Sequence, residues 1–166
     1  MSKQVDPLVF FSKLSWLDGK PLSIERYRQK IFTDVLHTFD RKGALKFSLA
    51  LCLRGKKNNK SLDLILASLY FLLCRMCLGG TTVLNVSFDL DQADQDLDLA
   101  KKIIKANPIL ADALDVKAKS IERKDGEGYM EIRPGRDFSG QHGGKFDFLG
   151  IDEIHTQRDY NLLEAL

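Results

Sequence analysis

An α/β fold with a mainly parallel central sheet flanked by helices is what this sequence predicts, and three observations predict it. An apolar, partly alternating run at 45–53 ends in a polar loop that opens an apolar helix. A second strand-like run at 81–88 leads into a helical pattern that closes at Asn107-Pro108. A third run, at 146–151, ends in two adjacent acids. Strands that alternate with helices favour parallel pairing, because a parallel pair needs a long crossover between its strands.

At 166 residues the chain suits one domain with one core. Apolar residues make up 44% and charged residues 29%, ordinary values for a globular protein. A net charge of +2 does not by itself point to a polyanionic partner. The N-terminus has no apolar stretch long enough for a signal peptide, so a cytoplasmic protein is expected. The most apolar segment, 62–78, contains Asp63 and Arg75 and is too short to span a bilayer, so no membrane association is expected. The cysteines Cys52, Cys74 and Cys77 form no disulfide framework. The lone Cys74-x-x-Cys77 pair has no second pair or nearby histidine and reads as buried thiols on one helix face.

The elements follow in order. Leu8 to Phe11 with Trp16 and Leu17 form a short apolar packing arm. Ser23 is an N-cap signal for an amphipathic helix over 24–39, its apolar stripe being Ile24, Tyr27, Ile31, Val35 and Phe39. The opposite face carries Glu25, Arg26, Arg28, Gln29 and Lys30. Gln29 there could read an adenine edge, its amide offering a donor and an acceptor, and an ordinary solvated face explains the same pattern. The run 45–53 reads as a buried central strand. A helix from Ser61 to about residue 78 stops at Gly79-Gly80. After the strand at 81–88, Asp89 opens the next helix, a short helix follows at 109–114, and strands are expected at 116–121 and 129–132. A glycine-rich polar loop, 133–145, precedes the last strand.

Two of these places carry chemistry. Lys60-Ser61, where a loop opens a helix, is what a phosphate-binding loop requires: backbone N–H groups and the positive helix end face the anion, the lysine meets the outer phosphates, and the hydroxyl meets magnesium. The usual pattern has glycine where this chain has Arg54 and Asn59, and the loop's glycine is Gly55. Asn tolerates positive φ better than other non-glycine residues, so the loop remains feasible. The second place is Asp152-Glu153, the Walker B arrangement, in which the first carboxylate supports magnesium and the second orients the attacking water. Together they mark a P-loop NTPase of the ASCE type, with a further strand between the two motifs.

The combination of Gly55-Lys56-Lys57-Asn58-Asn59-Lys60-Ser61, Leu149-Gly150-Ile151-Asp152-Glu153-Ile154-His155 and the following Arg158-Asp159-Tyr160-Asn161-Leu162-Leu163 resembles the large terminase subunit of tailed bacteriophages. The resemblance covers nearly the whole chain, 1–166, as that family's N-terminal ATPase domain, and Asn59 in place of glycine is its main departure. It implies an ATP-hydrolysing motor that pumps double-stranded viral DNA into a procapsid in the bacterial host cell, with a portal protein, a small terminase subunit and a homo-oligomeric ring as partners. ATP and Mg2+ would be the cofactors. Lys60 would hold the β- and γ-phosphates, Ser61 and Asp152 the magnesium, and Glu153 would be the catalytic carboxylate. Lys56 matches the basic residue that the family places early in its loop, and Gln29 matches the glutamine of its adenine motif. The arginine that the family supplies to a neighbouring subunit's ATP has Arg136 and Arg133 as candidates.

The chain ends at Leu166, ahead of the family's coupling motif and nuclease domain. A fragment or split-gene product truncated after Walker B is therefore expected, with no endonuclease activity, weak ATPase activity alone and a sheet edge left without its next strand. Two other readings stand beside this one. Asp152-Glu153-Ile154-His155 has the form of the box of superfamily 2 helicases, although those translocases carry a glycine-rich loop. A non-catalytic nucleotide-binding or assembly module is the other. Basic clusters such as Lys101-Lys102-Lys105 suit DNA phosphates and equally a solvated face, and His37, His142 and His155 are too scattered for a metal site.

Overall fold

The computed structural model describes residues 5–55, 58–75, 77, 79–135 and 145–153. The segment 154–166, with the motif residues that follow Glu153, and most of the glycine-rich loop lie outside them.

The N-terminal arm forms α1 (Pro7–Phe11), where Asp6 caps the helix by accepting the Leu8 N–H and proline occupies the first turn. Phe11 and Leu14 are buried, and the Phe11 ring lies 4.6 Å from that of Phe32. The Tyr70 hydroxyl donates to the Val5 carbonyl at 2.6 Å, fixing the arm to the core.

Helix α2 (Arg26–Leu36) is shorter than expected and turned on its axis. Its buried residues are Arg28, Phe32 and Leu36, at intervals of one helical turn, whereas Tyr27 is exposed. The face that the sequence placed in solvent therefore contributes Arg28 to the interior, because a buried carboxylate on the next helix, Asp63, needs a cationic partner. The helix ends at His37, where both the His37 N–H and the Thr38 hydroxyl turn to the Thr33 carbonyl.

The expected central strand at 45–53 does not form. Phe39 and Leu45 make an isolated antiparallel bridge, and beyond it Leu49, Leu51 and Leu53 are 84%, 67% and 82% exposed. Alternation supplies a strand with an apolar face, but a strand is stable only against a neighbour, and no described strand pairs with this segment.

Helix α3 (Lys60–Cys74) buries residues on nearly every side. It stops at Cys74 rather than running to Gly79-Gly80, with the Arg75 carbonyl taken by the Thr81 hydroxyl at 2.6 Å. Cys74 therefore ends the helix and Cys77 lies outside it, so the two thiols do not share a helix face. Both are half-buried, and burial pushes Cys74 up to about 11, which marks an unreactive thiol.

The central strand is β1 (Thr81–Ser87). Asp89 caps α4 (Leu90–Ala106) by accepting the Gln92 N–H, and α5 (Pro108–Ala113) follows at once. Then come β2 (Leu114–Val116), β3 (Ser120–Arg123), β4 (Gly128–Pro134) and β5 (Phe148–Ile151). The order is β2-β3-β4-β1-β5. β1 runs parallel to both β4 and β5, whereas β2-β3 and β3-β4 are antiparallel. The sheet is therefore mixed rather than mainly parallel, since the turns joining β2, β3 and β4 are too short for anything but hairpins. Among the described residues, α3 and α4 pack on one face of this sheet, with Val83, Met130 and Ile132 beneath them. Leu84 and Val86 point to the other face with Phe146, Leu149 and Ile151.

Candidate nucleotide site at the sheet edge

The carboxyl ends of β1 and β5 and the amino end of α3 meet at one edge of the sheet, the usual position for ligands in open α/β folds. Gly150 allows the approach. A Cβ at that position would lie 2.6 Å from Asn85 Oδ1 and would also run into Leu64 of α3, so only glycine lets the helix settle onto β5. Ser68 of α3 fixes the same contact by donating to Asn85 Oδ1 at 3.0 Å.

This packing brings together residues far apart in sequence. The Ser61 hydroxyl donates to Asp152 Oδ2. Asp152 is buried, and its N–H extends the sheet by bonding the Val86 carbonyl at 2.9 Å. Lys60 Nζ lies 3.9 Å from Glu153 Oε1. The four residues that sequence reasoning assigned to phosphate, magnesium and water thus stand in one cluster. Asn59, which precedes the helix, has φ +55° and ψ +29°, the left-handed conformation that its glycine-like role requires. Asn59→Gly is accordingly expected to keep full nucleotide affinity and stability. Asn59→Ala should lose about 1 kcal/mol of stability, read as a lower urea midpoint with unchanged slope.

Glu153 also has positive φ, +52°, although no glycine pattern announces it. Gly55 and Asn58 are exposed at the loop, with Asn58 Nδ2 3.3 Å from where a Cβ of Gly55 would sit. Gln29 is half-buried on α2, and its amide donates to the Ile24 carbonyl at 2.7 Å, so one of its donors is already used. Arg133 lies on β4 level with Val86 and is ion-paired with Glu131. Lys56, Lys57 and Arg136 lie outside the described residues.

Sequence reasoning missed three groups. Asp96 of α4 accepts the Ser87 hydroxyl at 2.6 Å and the Gln92 amide at 2.9 Å. Burial raises its pKa, and the charges of Asp152 and Glu153 raise it further against the two hydrogen bonds. Its signal was legible, as an acid on the stripe Ala93, Leu97, Ala100. Arg28 and Asp63 are the other two, and Asp63 likewise interrupts an apolar helix.

Among the described residues no group of three or more His, Cys, Asp or Glu side chains could enclose a metal ion. The Ser61–Asp152 pair nevertheless fits magnesium, which is commonly held by few protein oxygens with phosphates and water completing the shell. No helix among the described residues is long and apolar enough to cross a membrane.

The fold is a mixed α/β arrangement similar to that of phage large terminases. The crystal structure of the HK97 bacteriophage large terminase matches 96% of this chain and 34% of that one, with TM-score 0.79 and 16% identity. The large terminase ATPase domain of Thermus phage P74-26 matches 67% of this chain and 50% of that one, with TM-score 0.53 and 16% identity. At such identity the likeness is one of fold, and this chain spans about a third of the HK97 protein's length. No family model matches the sequence, and no curated protein matches it.

Proposed function

We propose that this chain is the ATP-binding and ATP-hydrolysing motor domain of a phage terminase large subunit, a P-loop NTPase of the ASCE type that drives viral DNA into a procapsid. The observation that carries the reading is the meeting of Lys60-Ser61 with Asp152-Glu153 at the sheet edge. Lys60, at the amino end of α3, holds the β- and γ-phosphates beside the helix dipole. Ser61 and Asp152 hold Mg2+, which when bound neutralises developing charge on the phosphates. Glu153 orients the attacking water. Its separation from Lys60 is long for an ion pair, so an incoming γ-phosphate competes readily for the lysine. Lys56 and Lys57 add positive charge to the loop, Gln29 faces the adenine, and Arg136 reaches a neighbouring subunit's ATP in a ring assembled with DNA, the portal protein and the small subunit. A terminase is preferred to a helicase because both fold neighbours are large terminases.

Titrating the chain with a fluorescent ATP analogue, with and without Mg2+, tests the reading. Saturable binding that weakens when Mg2+ is withdrawn is expected, together with slow phosphate release that rises with double-stranded DNA in the assembled motor. Absence of binding at millimolar analogue would refute it.

A further inference from the structure

Asp63 is a buried carboxylate in the first turn of α3, two residues beyond Ser61. Both of its oxygens are used. Oδ1 accepts from Arg28 Nε at 2.9 Å and from Arg28 Nη2, and Oδ2 accepts from Arg54 Nη1 at 2.6 Å. The same Arg54 Nη1 donates to the Asn58 carbonyl at 3.2 Å. One guanidinium therefore ties the entry of the loop to its far side and to the helix that the loop opens. Arg28 is 2% exposed and also bonds Glu25 at 2.6 Å, so the network reaches α2, where Gln29 is the adjacent residue.

We propose that Asp63 is a positioning residue for the phosphate loop, acting to hold Arg54 and, through it, the Asn58 carbonyl against α3. The proposal rests on the nucleotide-binding reading. It accounts for the arginine at a position where phosphate loops ordinarily have glycine: here a side-chain clamp closes the loop. Both Arg28 hydrogen bonds go to Oδ1, so the Arg28–Asp63 ion pair persists without Arg54, although Oδ2 then loses its Arg54 donor. The second bond of Arg54, to Asn58, is the one that bears on loop shape. Burial of both arginines works to lower their pKa values, and the hydrogen bonds they donate to Asp63, and for Arg28 also to Glu25, outweigh it, so the clamp stays charged. Because Arg54 is turned onto Asp63, it acts on phosphate through the loop backbone rather than by contact.

The test measures binding of a fluorescent ATP analogue, and competition by AMP, for the full chain and for Arg54→Ala, Asp63→Asn and the double variant, with thermal midpoints recorded. Arg54→Ala keeps the Arg28–Asp63 pair, so it remains informative even where Asp63→Asn fails to fold. The expected result is a loss of at least about tenfold in ATP-analogue affinity for Arg54→Ala, with AMP competition unchanged and the double variant no worse than the weaker single one. Wild-type affinity in Arg54→Ala would overturn the proposal, as would equal losses for ATP analogue and AMP, or multiplying losses in the double variant. Tighter binding in Asp63→Asn would also overturn it, since a freed Arg54 would then be a direct phosphate ligand. If the unaltered chain binds no analogue, the nucleotide reading itself fails and takes this proposal with it.

Discussion

Replacing Lys60 with alanine is expected to weaken binding of an ATP analogue at least about a hundredfold, roughly 2.7 kcal/mol. Lys60 is the first residue of α3, at the positive end of the helix, and its ammonium lies 3.9 Å from Glu153 Oε1. A charge-assisted contact to a triphosphate is strong there because the backbone donors act on the same anion. Stability should hardly change, since the partly exposed ion pair with Glu153, at 3.9 Å, is worth at most about 1 kcal/mol. Fluorescence titration with Mg2+ present, paired with thermal unfolding, checks both halves. An affinity within about threefold of the parent would remove Lys60 from the phosphate site.

Glu153→Gln should have the opposite profile. Affinity is expected to stay at the parent level or tighten slightly, because a neutral amide no longer repels the γ-phosphate. Turnover should fall by about a hundredfold to ten-thousandfold, the usual contribution of a positioned general base. Under the proposed function, the measurement is phosphate release in the presence of double-stranded DNA, compared between the variant and its parent. Normal hydrolysis by this variant would show that another group orients the water.

The helices and strands that carry the site were legible because each is locally determined. Asp89 and Asn107-Pro108 bracket α4 with a capping side chain and a proline, and β1 is a run rich in β-branched residues that is buried on both faces. The cluster itself was legible for a different reason. Lys60-Ser61 and Asp152-Glu153 each follow or precede an apolar element, so their place at an end of it can be read without knowing the packing. What escaped was whatever depends on partners distant in sequence. The alternation at 45–53 is indistinguishable from that of a paired strand, because pairing is not written in the segment itself. The orientation of α2 goes with the Arg28–Asp63 pair and the burial of Phe32 and Leu36, and a polar residue on a helix looks solvated until its partner is known. Reading Asp63 as a buried charge in an apolar helix would have required a cation somewhere, and Arg28 was available.

The left-handed backbone at Glu153 has a further consequence. A glutamate held there lies about 1–2 kcal/mol above its relaxed conformation, a sum that the rest of the domain must outweigh. Stability and chemistry consequently pull in opposite directions at this residue. Selection for a more robust fold would favour glycine or asparagine at 153, whereas under the proposed function selection for turnover would retain the carboxylate, so a sturdier domain would then hydrolyse ATP more slowly.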